Sequence, residues 1–153
     1  MDARIISPFL EALFQVLPAI GITSPERGRV AVKETLAAST DVTTLVGLSD
    51  DIRGNVIYCM SEETAKKTAS VMMMGMPVEC LDDMARSAIA ELANMVTANA
   101  STVFSGMGKR VSISPPTLII GENVTVMVSQ VRTIAVEVRT GAGTIEVNIG
   151  LEV

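Results

Sequence analysis

Apolar residues recur along this chain with two periods, about every three to four residues in some segments and every second residue in others. The helical period predicts helices over residues 8 to about 19, 61–74, and 82 or 83 to about 105. Alternation predicts strands between and after them. The alternating apolar positions are Val30 and Val32; Val42, Val46 and Leu48; Val56, Tyr58 and Met60; Val124, Val126 and Val128; Ile134, Val136 and Val138; and Ile145, Val147 and Ile149.

Residues that favour turns and helix caps punctuate this pattern. Asp50-Asp51 and Gly141-Ala142-Gly143 suit hairpin turns, which join antiparallel strands. Ser61 is a good N-cap for the second helix, which Gly75 and Pro77 should end. The order helix, strands, two helices, strands predicts an α+β fold with helices packed on an antiparallel sheet. No linker or internal repeat interrupts the 153 residues, so we expect a single domain over residues 1–153.

Composition narrows the class of protein. Hydrophobic residues make up 48% of the chain and charged residues 19%, which excludes a disordered protein. A net charge of −5, with three Phe, one Tyr and no Trp, argues against nucleic-acid binding. No apolar run approaches the roughly 20 residues of a membrane span. We therefore expect a soluble, cytoplasmic protein without membrane contact, in which Cys59 and Cys80 are reduced and mostly buried thiols.

The chain contains no histidine. This absence excludes histidine-based triads and the usual zinc hydrolases, because histidine is the commonest general base and transition-metal ligand. An enzyme built from this sequence has to work with carboxylates, amides, hydroxyls, amines or thiols. Neither cysteine lies in a spacing that suits a metal site, and we expect no metal or other cofactor of the protein's own.

The third predicted helix has one face that differs from an ordinary solvated surface. Its core side collects Ile89, Leu92, Met95, Val96 and Val103, joined by Ala88, Ala93 and Ala100. The opposite side, which we call the small-residue face, consists of Ser87, Ala90, Glu91, Asn94, Thr97, Ala98, Ser101 and Ser105. It carries one charge, whereas a solvated face usually carries several. Small side chains let another protein approach closely, so we expect partner docking at Ser87, Ala90, Ala98 and Ser101.

Glu91 and Asn94 are spaced i, i+3 and are therefore neighbours on this face, with Ser87 one turn before them. Taken alone the pair is weak evidence for a site, because Glu and Asn are common on helices without any chemical role. Asn99 falls near the apolar side, where a hydrogen-bonded structural role is expected.

The spacing Ser87-x3-Glu91-x2-Asn94, followed by Pro115-Pro116, resembles the signature of the CheC/CheX/FliY family of chemotaxis phosphatases. The similarity is strongest to the single-domain CheX type and extends over most of the chain. It includes the MDARI start, the hairpin through GNVIY, the SEETA helix opening, VMMMGM, SAIAELANM and the SPPT turn. In this family the tandem prolines should shape a loop next to the site.

The resemblance implies an aspartyl-phosphate phosphatase that acts on the phosphorylated response regulator CheY. Asn94 would orient the attacking water, and Glu91 would engage the active-site lysine of the regulator. The regulator would bring its own Mg²⁺. The resemblance also implies a homodimer joined through sheet strands, with Glu91 and Asn94 left free.

Family members with two sites carry a second Glu-x2-Asn in the first helix, but here Glu11 is followed at i+3 by Phe14, so one site is expected. Two alternatives remain open. The chain could be a non-catalytic module that binds a response regulator or docks in a flagellar switch or receptor array. It could also be a structural homo-oligomer whose small-residue face is a self-interface.

Overall fold

The computed structural model describes residues 3–152; residues 1, 2 and 153, and with them the first two positions of the MDARI segment, lie outside the described part. Along residues 3–152 the chain forms three α-helices and seven β-strands. They are α1 Ala3–Ala19, β1 Glu26–Lys33, β2 Leu36–Asp50, β3 Gly54–Met60, α2 Glu62–Met72, α3 Asp83–Gly106, β4 Val111–Ile113, β5 Thr117–Ser129, β6 Thr133–Thr140 and β7 Gly143–Leu151. None of these helices combines the length and hydropathy needed to cross a bilayer.

The strands form one sheet in which neighbours run antiparallel, in the order β1-β6-β7-β3-β2-β4. The 15-residue strand β2 has two partners along its other edge. β5 pairs with its residues 36–45 and β4 with its residues 48–50. The predicted α+β class with an antiparallel sheet is confirmed. Residues 114–116 connect β4 to β5 and therefore lie directly beside β2.

The helices pack on one face of the sheet around a continuous apolar core. Phe9 of α1 and Phe104 of α3 meet edge to face with ring centroids 5.6 Å apart, and both are buried. Burying a side chain of this size contributes about 1.5–3 kcal/mol. Strand residues alternate toward this core, as Val46, Val136 and Val147 show. α1 thus packs against α3, while α2 and α3 contact the strands beneath them.

The predicted cap of α2 is confirmed, and of the two residues at which α3 was expected to start, Asp82 is its cap. Ser61 Oγ accepts a hydrogen bond from Thr64 N at 3.1 Å, and Asp82 Oδ1 accepts one from Ala85 N at 2.9 Å. Each satisfies one backbone donor that the first turn of a helix leaves free. α2 ends at Met72, two residues before the predicted end.

The first helix starts earlier than predicted. The sequence suggested a start at Pro8, because the apolar residues that follow it are at helical spacing. The structure begins α1 at Ala3 and keeps Pro8 inside it. A proline there removes one backbone hydrogen bond. Burial of Ile6 and Phe9 on the two sides of Pro8 offsets that loss.

The C-terminal hairpin is confirmed in register: Ile134, Val136 and Val138 pair with Ile149, Val147 and Ile145 respectively. Two features of the sheet were missed. β4 has only three residues, too few to show a pattern. β2 begins at Leu36 rather than near Val42, because its first part is a run of Ala, Ser and Thr without apolar alternation.

The two cysteines differ in environment. Cys59 lies in β3 and is 5% exposed, and burial raises the pKa of its thiol to about 12. Cys80 is exposed in the connection between α2 and α3, so the prediction that both thiols are mostly buried is wrong for Cys80. Both cysteines are free, as expected.

Candidate active site

α3 carries the candidate site and is fixed along its opposite side. Its buried side chains include Ile89, Leu92, Val96, Ala100 and Phe104, which follow a helical period. Leu92 and Val96 face the core together with residues of α1 and the sheet. A helix anchored over 24 residues presents the other side in a defined orientation.

An open groove of about 510 Å³ runs between α3 and the connection from β4 to β5. Its lining residues are Ser87, Ala90, Glu91 and Asn94 from α3, and Ile113, Ser114, Pro115 and Pro116 from the opposite side. The predicted proximity of the tandem prolines to Glu91 and Asn94 is therefore confirmed, although 20 residues of chain separate the two segments.

Glu91 and Asn94 lie side by side in this groove with their polar groups available. The Glu91 side chain is exposed and that of Asn94 is half-buried. Within residues 3–152 neither side chain forms a hydrogen bond or an ion pair, and Arg86, the other charged side chain nearby on α3, pairs with Asp83. Both groups can thus contact a ligand without first breaking an internal bond.

The sequence interpretation assigned no role to Ser114 and did not consider Ile113. Ile113 belongs to β4, which the pattern could not reveal. Ser114 is part of the SPPT turn, but only the fold shows that its side chain joins the groove wall. The one feature of the sequence that could have pointed to Ser114 as a groove residue is its position directly before two prolines.

One member of the small-residue face points inward. Thr97 is 1% exposed; its Oγ1 donates to Ala93 O at 2.8 Å and lies 2.7 Å from Tyr58 Oη. Placing Thr97 on the open face was wrong, because Tyr58 reaches α3 from β3 and covers this position. Burial raises the pKa of Tyr58, so its hydroxyl stays protonated and can donate to Thr97.

Other expectations about α3 need adjustment. Ser101 Oγ donates to Val111 O at 2.7 Å, which ties α3 to β4. Ala98 is half-buried, and neither Ala98 nor Ser101 lines the groove, whereas Ser87 and Ala90 do.

Asn99 Oδ1 is buried and has no hydrogen-bond partner within residues 3–152, contrary to the expected bonded role.

The first helix contributes nothing to this groove. Glu11 is exposed and Phe14 half-buried, and neither is among the lining residues.

The three-helix layer on an antiparallel sheet is the fold of the CheC- and CheX-like proteins. A crystal structure of chemotaxis protein CheX from Desulfovibrio desulfuricans matches with a TM-score of 0.87 and 26% identity, covering 97% of this chain and 99% of that one. The sequence profile described as chemotaxis phosphatase CheX matches residues 42–139. The chain belongs to the CheX family of chemotaxis phosphatases.

Two further relatives have names that mention the response regulator CheY. The CheY-P phosphatase CheX of Thermotoga maritima is 33% identical over 123 residues, which cover 80% of this chain and 79% of that protein. The crystal structure of the CheX–CheY–BeF3–Mg²⁺ complex from Borrelia burgdorferi contains a chain 28% identical to this one. It matches with a TM-score of 0.82 and covers 97% of each chain.

Proposed function

We propose that this protein is a phosphatase that hydrolyses the aspartyl phosphate of a CheY-type response regulator. The observation that carries the proposal is the pair Glu91 and Asn94, unpartnered and adjacent in an open groove of α3. The Thermotoga relative is named for this activity, and the Borrelia relative forms a complex with CheY, which supports the same class of partner.

Asn94 is the residue we assign to the attacking water. A carboxamide can both accept a hydrogen bond from water and donate one, and it is neutral. It can therefore hold a water in line with the phosphorus without repelling an anionic phosphoryl group. Phosphoryl transfer depends mainly on such positioning and on charge stabilisation.

The reaction needs no nucleophile from this chain. The water oxygen forms a bond to phosphorus while the bond between phosphorus and the aspartyl oxygen breaks. The aspartate leaves as a carboxylate, and a water proton ends on inorganic phosphate or in solvent. We propose that the regulator holds the Mg²⁺ ion and that this chain supplies no cofactor of its own.

Glu91 requires a different role, because a bare carboxylate beside a phosphoryl group would be repelled by it. We assign it to an ion pair with the active-site lysine of the regulator. Such a pair loses part of its water on docking, which makes it sensitive to geometry and useful for orienting the two proteins. The small side chains of Ser87 and Ala90 leave room for the regulator next to it.

We further propose that the protein is a single-domain cytoplasmic homodimer joined through sheet strands. The sheet has a free edge at β1 on one side and at β4 and β5 on the other, and β4 has only three residues. β1 and β5 each expose two large apolar side chains, but β1 also carries two arginines, a lysine and a glutamate, whereas the longer β5 carries one glutamate. Charged edge strands resist pairing, so β5 is the better dimer edge. Sedimentation equilibrium at micromolar concentration tests this, and a monomer mass would contradict it.

The catalytic proposal is tested by mixing the purified protein with phosphorylated CheY-type regulators and following phosphate loss over time. Wild type should accelerate the loss well beyond the regulator's own rate. Glu91→Ala should weaken binding to the regulator and so raise KM, because the lysine loses its partner. Wild type that binds the phosphorylated regulator without accelerating phosphate loss would support the non-catalytic docking module instead.

A further inference from the structure

The wall of the groove opposite α3 is built by residues 114–116, between β4 and β5. Both strands pair with the same edge of β2, β4 up to the pair Leu48–Ile113 and β5 from the pair Leu45–Thr117. Pro115 and Pro116 have no backbone N–H and cannot donate to β2 across this gap. The sheet ladder is therefore interrupted directly beside Glu91 and Asn94.

Ser114 bridges the interruption with its backbone and its side chain. Its backbone N donates to Gly47 O at 2.9 Å, and its Oγ accepts from Gly47 N at 2.8 Å. The same hydroxyl donates to Pro115 O at 3.1 Å. One hydroxyl thus replaces the missing ladder acceptor and also holds the carbonyl of the first proline.

The strand opposite leaves space for this arrangement. A Cβ on Gly47 would lie 3.2 Å from Ser114 Oγ, closer than ordinary van der Waals contact. Ser114 itself is exposed, so its hydrogen bonds to Gly47 and Pro115 contribute to local geometry more than to the buried core.

We propose that Ser114 is a positioning residue that sets the proline wall at a fixed distance from α3. The inference rests on the proposed phosphatase function and extends it to the docking of the regulator. With the wall fixed, a regulator seated in the groove contacts Pro115 and Pro116 on one side and Glu91 and Asn94 on the other. Loss of the Ser114 hydroxyl lets the wall move, while Asn94 stays in place on α3.

Because the wall moves and Asn94 does not, we expect the loss of the hydroxyl to change KM rather than kcat. In steady-state dephosphorylation of a phosphorylated CheY-type regulator, Ser114→Ala should raise KM about three- to tenfold, as expected for one lost hydrogen bond. The value of kcat should stay near that of wild type. Ser114→Thr keeps the hydroxyl, so its KM should stay near the wild-type value. Gly47→Ala crowds the same hydroxyl from β2 and should raise KM as well.

Ser112→Ala is the matched control. Ser112 lies two residues earlier in the chain, is exposed, and donates to Asp50 of β2, but it does not line the groove. Removing it loosens the β4–β2 pairing by a comparable amount, so KM should stay at the wild-type value. Urea unfolding of both serine variants shows whether their stabilities match.

Three outcomes decide the inference. A raised KM for Ser114→Ala and Gly47→Ala, with wild-type KM for Ser112→Ala and Ser114→Thr, supports it. Equal KM for Ser114→Ala and Ser112→Ala overturns it while the phosphatase function stands. An inactive wild type overturns the proposed function and the inference together.

Discussion

The two halves of the small-residue face of α3 have similar composition and different surroundings. Residues 87–94 face the proline wall across an open groove, with Glu91 and Asn94 unpartnered. Residues 97–101 face the protein's own strands: Thr97 contacts Tyr58 of β3, and Ser101 contacts Val111 of β4. We call these the open half and the covered half.

The comparison shows that small polar residues on a helix serve two purposes that sequence periodicity does not separate. In the covered half, hydroxyls satisfy contacts within the chain and set the position of α3 on the sheet. In the open half, small side chains leave space beside Glu91 and Asn94, whose polar groups have no partner within residues 3–152. The difference comes from neighbours that are distant in sequence, since Tyr58 and Pro115 lie 39 and 18 residues from Thr97.

The largest effect on folding is expected from Thr97→Arg in the covered half. Thr97 is buried against Tyr58, so a guanidinium there would be desolvated without an acidic partner. We expect the free energy of unfolding to fall by at least about 3 kcal/mol, the range for an uncompensated buried charge. Urea unfolding followed by circular dichroism measures this. Wild-type stability would show that position 97 is open.

The matching substitution in the open half is Ala90→Arg. Arginine is nearly as good a helix former as alanine, so the free energy of unfolding should change by less than about 0.5 kcal/mol. The long side chain fills the groove, and affinity for the activated regulator should fall at least about tenfold, or 1.4 kcal/mol. Calorimetric titration measures the affinity. Unchanged binding would place the docking surface elsewhere.

A smaller effect is expected from Tyr58→Phe. It removes one buried hydroxyl, while the Thr97 hydroxyl still donates to Ala93 O and therefore keeps a hydrogen-bond partner. The free energy of unfolding should fall by about 1 kcal/mol, as for one hydrogen bond. Because Tyr58 and Thr97 are buried and do not line the groove, the phosphatase rate of the folded protein should stay within about twofold of wild type. A tenfold loss of rate would show that the two halves are coupled.

Local signals predicted much of this structure. Ser61 predicted the start of α2, and the start of α3 was predicted to within one residue, at 82 or 83. The glycine turn predicted the register of the last hairpin, because tight turns depend on a few adjacent residues. The position of Glu91 and Asn94 as neighbours on one face of α3 followed from helix geometry alone.

Features that depend on tertiary contacts could not be predicted from the sequence. The start of α1 ahead of Pro8 depends on burial of Ile6 against the core, and the three residues of β4 are a strand only because β2 extends beside them. Burial of Thr97 depends on Tyr58, and the role of Ser114 depends on Gly47. Each of these needs a partner that the local pattern does not show.

The central claim, that Asn94 in the open half positions the attacking water, is tested most directly by Asn94→Ala at saturating enzyme with a pre-phosphorylated regulator. Single-turnover phosphate release should fall at least about 100-fold, the effect of removing one positioned hydrogen-bonding group from a reaction centre. Binding of the beryllofluoride-activated regulator should stay near the wild-type affinity. Phosphate release at the wild-type rate from Asn94→Ala would contradict the account.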